Sequence, residues 1–196
     1  MNVTELATAS FGQSFNVSMI QMASAFCALV NGGNYYQPHL VSSIVDAEGV
    51  TVKENEPLVV RKTVSEATSE YLREAFYQTV EGGTASKAKV AGYLIGGKTG
   101  TAQKLPRDAK KYVVSFIACA PVDTPEVVTY VVIDEPQDEE YSASSHYATT
   151  ITSGIMEEIL PYLGCYPEGE IDYAVRFPQV ADASLTDEEN TDAVPK

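Results

Sequence analysis

The ten residues Gly92 to Thr101, GYLIGGKTGT, carry the sharpest chemical pattern in the chain. Gly92 to Thr99 satisfy G-x-x-x-x-G-K-[ST], a pattern in which backbone N–H groups cradle phosphates, the lysine reaches the outer phosphates and the hydroxyl sits on magnesium. Val131 to Glu135 imitate an apolar strand ending in an acid that could hold such a magnesium. Nucleotide hydrolysis is therefore one chemistry to weigh. A phosphate loop, however, needs a buried strand leading in and a helix leading out, so that the positive helix end faces the anion. Here the lead-in, Gly83 to Lys89, is polar, and Gly100 and Pro106 stand where the helix would run, both of them helix-weakening residues. The same stretch fits a second template, K-T-G followed by a small residue, at Lys98, Thr99, Gly100 and Thr101. A tripeptide alone has little specificity, so its surroundings decide.

Gly97–Ala102 (GKTGTA), followed by Ser115–Pro121 (SFIACAP) and Tyr130–Pro136 (YVVIDEP), resembles the C-terminal part of the transpeptidase domain of class B, high-molecular-mass penicillin-binding proteins. Ala9–Gln13 (ASFGQ), Ile20–Ala25 (IQMASA), Asn31–Gly33, Pro38–His39 and Gly83–Ala85 (GTA) look like the same family in the same order, so the likeness covers roughly residues 5 to 165. It implies an α+β fold of the serine β-lactamase and penicillin-binding-protein kind, with antiparallel strands packed by helices. It also implies peptidoglycan cross-linking, in which an active-site serine attacks a D-Ala-D-Ala stem peptide, D-Ala leaves and an amine of a second stem takes the acyl group. By this resemblance Lys98 and Thr101 serve catalysis. Lys98 sets the proton-transfer and electrostatic environment, and the Thr101 N–H forms half of an oxyanion hole. Thr99, Gly100 and Thr101 bind substrate: the two hydroxyls take the terminal carboxylate of the stem peptide or of a β-lactam, and Gly100 clears the backbone for the ligand. The implied partners are stem peptides, β-lactams, a membrane glycosyltransferase and the rest of the same domain, at the outer face of the cell membrane. No cofactor, metal or nucleic acid is called for.

The family also needs S-x-x-K and S-x-N motifs upstream of K-T-G. Ser86–Lys89 fits the first pattern and Ser14–Asn16 the second. Ser86 lies in a polar loop close before Lys98, whereas the family's nucleophile opens a buried helix much earlier, and Asn16 reads better as a helix cap. Both are rejected as catalytic. The expectation is a fragment that contributes one wall of the active site, residues 1–166, followed by an acidic tail, 167–196. A non-catalytic interaction module is the alternative from another class. Because strands from before the nucleophile join the family's sheet, the strand near 127–133 is expected to have an unpaired apolar edge, and the isolated fragment to be poorly soluble or unstable.

These residues must be held by elements that the pattern also predicts. Residues 17–31 place apolar side chains at helical spacing, capped by Asn16 and ended by Gly32-Gly33,. Residues 40–53 read as a hairpin around Asp46–Gly49, and a second helix runs from a Ser65 cap to Gly82, burying Leu72, Phe76 and Val80,. Val113–Cys119 and Val127–Ile133 form an antiparallel hairpin, and Pro136–Ser145 is a polar loop. A third helix, 147–163, sets Ile151, Ile155, Ile159 and Leu163 on one face. His39 and His146 read as structural or surface residues, and Asp134 and Glu135 as loop-stabilising acids rather than metal ligands. Val175–Val180 faintly resembles the opening of an accessory repeat associated with this family, and a solvated tail is the preferred reading.

Composition bounds the rest. The 196 residues carry a formal charge of -14 and 44% hydrophobic residues, an ordinary globular apolar content,. Residues 134–196 hold 15 acids and 2 bases, against 12 and 11 in the first 133. The acidity thus belongs to the last third, while Lys87, Lys89, Lys98, Lys104, Arg107, Lys110 and Lys111 with only Asp108 make a local basic strip suited to an anionic substrate end,. So acidic a chain is a poor match for a phosphate backbone. Cys27, Cys119 and Cys165 are odd in number and far apart, which reads as three free thiols,.

Overall fold

The computed structural model describes residues 2–10, 12, 15–138 and 140–169. Phe11, Gln13, Ser14 and the stretch 170–196, with Val175–Val180 and most of the expected tail, lie outside the described residues. The element order is α1 (Val3–Ala9), α2 (Met19–Val30), β1 (Asn34–Tyr36), β2 (Ser43–Val45), β3 (Thr51–Glu54), β4 (Val59–Lys62), α3 (Glu66–Glu81), β5 (Gly96–Gln103), β6 (Tyr112–Ala120), β7 (Val127–Asp134) and α4 (His146–Tyr162), with short 3-10 turns at Ser86–Ala88 and Arg107–Ala109.

The central strand explains the architecture. In β6 the side chains alternate between two apolar layers. Phe116, Ala118 and Ala120 join Val80, Ile95, Ala148, Met156 and Leu160 under α4. Ile117 and Cys119 join Phe26, Val30, Leu94 and Val122 under α2 and α3. A strand covered on both faces reads as a continuous apolar run rather than an alternating one. β5 and β7 flank it, both antiparallel, in the order β5-β6-β7. The expected hairpin is thus present, and β7 is an edge with no partner strand on its outer side among the described residues. Two further two-stranded pairs, β1-β4 and β2-β3, lie between α2 and α3 in sequence. The β2-β3 turn forms as its chemistry predicts, with Asp46 Oδ1 accepting from the Glu48 and Val50 N–H groups at 3.1 and 2.8 Å,.

Three details depart from expectation. The cap of α2 is Ser18, not Asn16: Ser18 Oγ accepts from the Gln21 N–H while the Gln21 side chain returns to the Ser18 N–H, the reciprocal box that Asn16, two residues earlier, cannot form. In α3 the Ser65 cap and the burial of Val80 are as expected, but Leu72 and Phe76 are only half-buried and the fully buried polar residues are Ser69 and Glu74. In α4 the Ile151–Ile155 face points outward. Ile151, Ile155 and Leu163 are 46%, 39% and 44% exposed, while Ala148, Thr149, Thr152, Met156 and Leu160 face the sheet. Hydrogen-bonded structure continues to Glu168, whose N–H donates to the Gly92 carbonyl at 2.8 Å.

Candidate active site on strand β5

Lys98, Thr99, Gly100 and Thr101 occupy the middle of β5, paired in register with Ile117, Phe116, Ser115 and Val114. This position disposes of the phosphate-loop reading, since Lys98 and Thr99 sit inside a strand and not at a loop-to-helix junction,. Directly opposed residues of an antiparallel pair share a face. Thr99 and Thr101 therefore lie on the side of Phe116 and α4, and Lys98 and Gly100 on the side of Ile117, α2 and α3. β5 is the other edge of the sheet among the described residues, and from Lys98 to Gln103 its residues are exposed or half-buried.

Side chains from two distant parts of the chain brace the strand. Ser145, at the start of α4 and 7% exposed, donates its hydroxyl to the Gly100 carbonyl at 3.1 Å. Thr84, in the turn after α3, brings its Oγ1 to 3.2 Å from Thr99 Oγ1. Below Gly100, a Cβ would stand 2.6 Å from Ser115 Oγ, so only glycine leaves that serine in place. The exposed Lys98 turns its ammonium back to the Thr99 carbonyl at 2.9 Å and makes no ion pair among the described residues.

Much of the surrounding basic strip is structural. Lys89 pairs with Glu81 at 2.8 Å, Lys104 with Asp134 and Glu135 at 2.8 Å each, and Lys111 with Glu135 at 2.7 Å. The last three bonds clamp the 104–111 loop to the end of β7, and the two lysines pull the Glu135 carboxyl down to about 2. Asp134 and Glu135 are thereby engaged as loop-stabilising acids. Of the two rejected look-alikes, Lys89 is held by Glu81 rather than by Ser86, and Ser14 lies outside the described residues. His39 is exposed, with Nδ1 3.3 Å from the Gln37 carbonyl. His146 opens α4, half-buried and stacked on Tyr141 at 4.3 Å between ring centres. Thr84, Ser115 and Ser145 were not singled out from the sequence as site residues. The GTA motif around Thr84 and the SFIACAP motif that Ser115 opens were the signals present.

Residues 2–157 match the family model described as the penicillin binding protein transpeptidase domain. The chain belongs to this family. Among curated relatives, it is 40% identical over 168 residues to stage V sporulation protein D of Bacillus subtilis, an alignment covering 83% of this chain and 26% of that protein. It is 31% identical to a peptidoglycan D,D-transpeptidase FtsI homolog of Mesostigma viride, over 80% of this chain and 29% of the relative. In three dimensions it is similar to the transpeptidase domain of Burkholderia pseudomallei penicillin-binding protein 3, with a TM-score of 0.71, 28% identity and coverage of 87% of this chain and 50% of that one. The α+β fold is thus that of a penicillin-binding transpeptidase domain. The chain spans between a quarter and a third of the length of these two curated relatives. No helix among the described residues is long and apolar enough to cross a membrane.

Proposed function

We propose that residues 1–166 form the K-T-G part of a peptidoglycan D,D-transpeptidase domain and supply one wall of a cleft whose serine nucleophile comes from polypeptide outside these 196 residues. The observation that carries this reading is the braced edge strand. Lys98, Thr99, Gly100 and Thr101 stand at a sheet edge whose backbone Ser145 holds through the Gly100 carbonyl, which is the preorganisation that transition-state stabilisation requires. An extended stem peptide can lie along β5 as an added strand. Thr99 and Thr101 then receive its carboxylate, the Thr101 N–H supports the developing oxyanion, and Lys98 on the opposite face lowers the cost of moving the serine proton. A β-lactam occupies the same place. The exposed Ile151 and Ile155 ridge and the unpaired edge of β7 fit a docking surface for the rest of the domain. Action at the outer face of the cell membrane, beside a glycosyltransferase, follows from the family reading and not from any segment of this chain.

Fluorescent penicillin is the direct test. A complete domain containing these residues is expected to label covalently, and the Lys98→Ala and Thr99→Val forms to label at least tenfold more slowly, as for loss of a charge-assisted hydrogen bond. The isolated 196-residue chain is expected to stay unlabelled. Covalent label on that isolated chain would sink the assignment of the nucleophile to other polypeptide. A complete domain that never labels would favour a non-catalytic module instead.

A further inference from the structure

The tripeptide Gly83-Thr84-Ala85 divides its work among three residues. A Cβ on Gly83 would stand 2.7 Å from the Thr79 carbonyl oxygen and 3.0 Å from Thr79 Cα, so glycine alone lets the chain fold back onto the end of α3. Ala85, fully buried, plugs the core under α4 and donates its N–H to the Thr79 carbonyl at 3.0 Å. Between these two anchors Thr84 is left exposed, its hydroxyl 3.2 Å from that of Thr99.

A hydroxyl has one proton to donate and two lone pairs to accept with. If Thr99 gives its proton to Thr84, nothing remains for an anion. If Thr84 donates, the Thr99 proton is free to turn outward, and accepting one bond strengthens the bond it gives. We infer that Thr84 is a positioning residue that donates to Thr99 and so aims the Thr99 hydroxyl at the carboxylate of the acyl donor. The Ser145 bond to the Gly100 carbonyl fixes the backbone one residue further along, so the hydroxyl chain Thr84 to Thr99 to carboxylate starts from a stationary strand. Thr84 recognises nothing by itself. Its effect is confined to ligands that present an anion to Thr99. This inference rests on the carboxylate-binding reading of Thr99 given above.

The test compares penicillin with its methyl ester, which acylates without presenting the carboxylate, on a complete transpeptidase domain containing these residues. Thr84→Val removes the donor while keeping the shape, at an exposed position where the fold tolerates substitution. It is expected to slow acylation by penicillin about fivefold to tenfold, the worth of one hydrogen bond between neutral hydroxyls, and to leave the ester rate unchanged. Thr84→Ser, which keeps the hydroxyl, is expected to restore the penicillin rate. Equal rates for Thr84→Val and the parent with penicillin overturn the inference, as does an equal loss with both reagents, which marks a general structural role. A parent domain that neither reagent acylates overturns the functional reading itself, and this inference with it.

Discussion

The three-stranded sheet and the strand pairs of residues 34–62 are built from similar β-branched residues yet hold opposite places in the molecule. In the sheet Val114, Phe116, Ala118 and Cys119 are fully buried, because helices cover both faces. In β2, β3 and β4 every residue is exposed, among them Ile44, Val45, Val52, Val59 and Val60. Good turn chemistry is enough to set the β2-β3 register, but burial needs an opposing layer, which β2, β3 and β4 lack among the described residues. Cooperative stability should therefore be concentrated around β6, where the candidate site is also anchored.

The largest break in that contrast should come from Gly97→Val. A Cβ there would lie 2.5 Å from the Ile117 carbonyl oxygen and 2.6 Å from Phe116 Cζ, so in a complete domain containing these residues loss of the cooperative thermal transition is expected by circular dichroism. Phe116→Ala should cost about 3 to 5 kcal/mol in urea unfolding, whereas Ile44→Thr and Val52→Thr should stay within about 0.5 kcal/mol. A cost at Val52 approaching that at Phe116 would mean that the hairpin has a covering layer after all.

Next in size is Glu74, buried in α3, with Oε1 accepting from Gln78 at 2.9 Å and Oε2 without a hydrogen-bond partner. Burial raises its pKa above the ordinary 4.5, opposed by the Gln78 bond. The folded state thus binds the proton more tightly than the unfolded chain does, and ionisation erodes stability as pH rises above about 4.5,. Glu74→Gln should accordingly stabilise the protein at pH 7 by on the order of 1 kcal/mol, with the gain vanishing below pH 4.5 in thermal melts at stepped pH.

Glu135 has the opposite sign. Its lowered pKa means that the Lys104 and Lys111 bonds contribute above the ordinary 4.5 and are lost as pH falls toward about 2. Amide exchange in residues 104–111 should quicken across that window while exchange in β6 stays slow, and Glu135→Gln should remove the pH dependence. The smallest effect concerns Cys119. Burial pushes its thiol up to about 12, so it should resist iodoacetamide in the folded protein at pH 8 and react only after unfolding.

The strand and motif order was legible because a K-T-G tripeptide, a β-branched pair and a polar turn each leave a local signature. The face of α4 was not. Its isoleucines look like a core stripe, but of them only Ile159 packs against the core, and the helix lies on the sheet through Ala148, Thr149, Thr152, Met156 and Leu160. Thr149 and Thr152 can be buried because their hydroxyls bond back to the Ser145 and Ala148 carbonyls at 3.1 and 2.9 Å,. Hydrophobicity along a sequence carries no trace of that satisfaction. The braces on β5 escaped for a related reason: Thr84 and Ser145 are single polar residues 15 and 45 positions from their partners, and even the GTA motif around Thr84 does not say which distant residue it will bond. Lys104 and Lys111 counted as available cations in the sequence and are in fact committed to Glu135.

The alternation of β5 also limits how this region can vary in length. Lys98 and Gly100 face one side and Thr99 and Thr101 the other, so substitution can tune either side alone. A single inserted or deleted residue within Gly96–Gln103 would instead exchange the two sides at once, delivering the ammonium where the hydroxyls belong. Length changes are tolerable only past Gln103, in the loop that Lys104 and Lys111 close, and there only if those two lysines still reach Glu135.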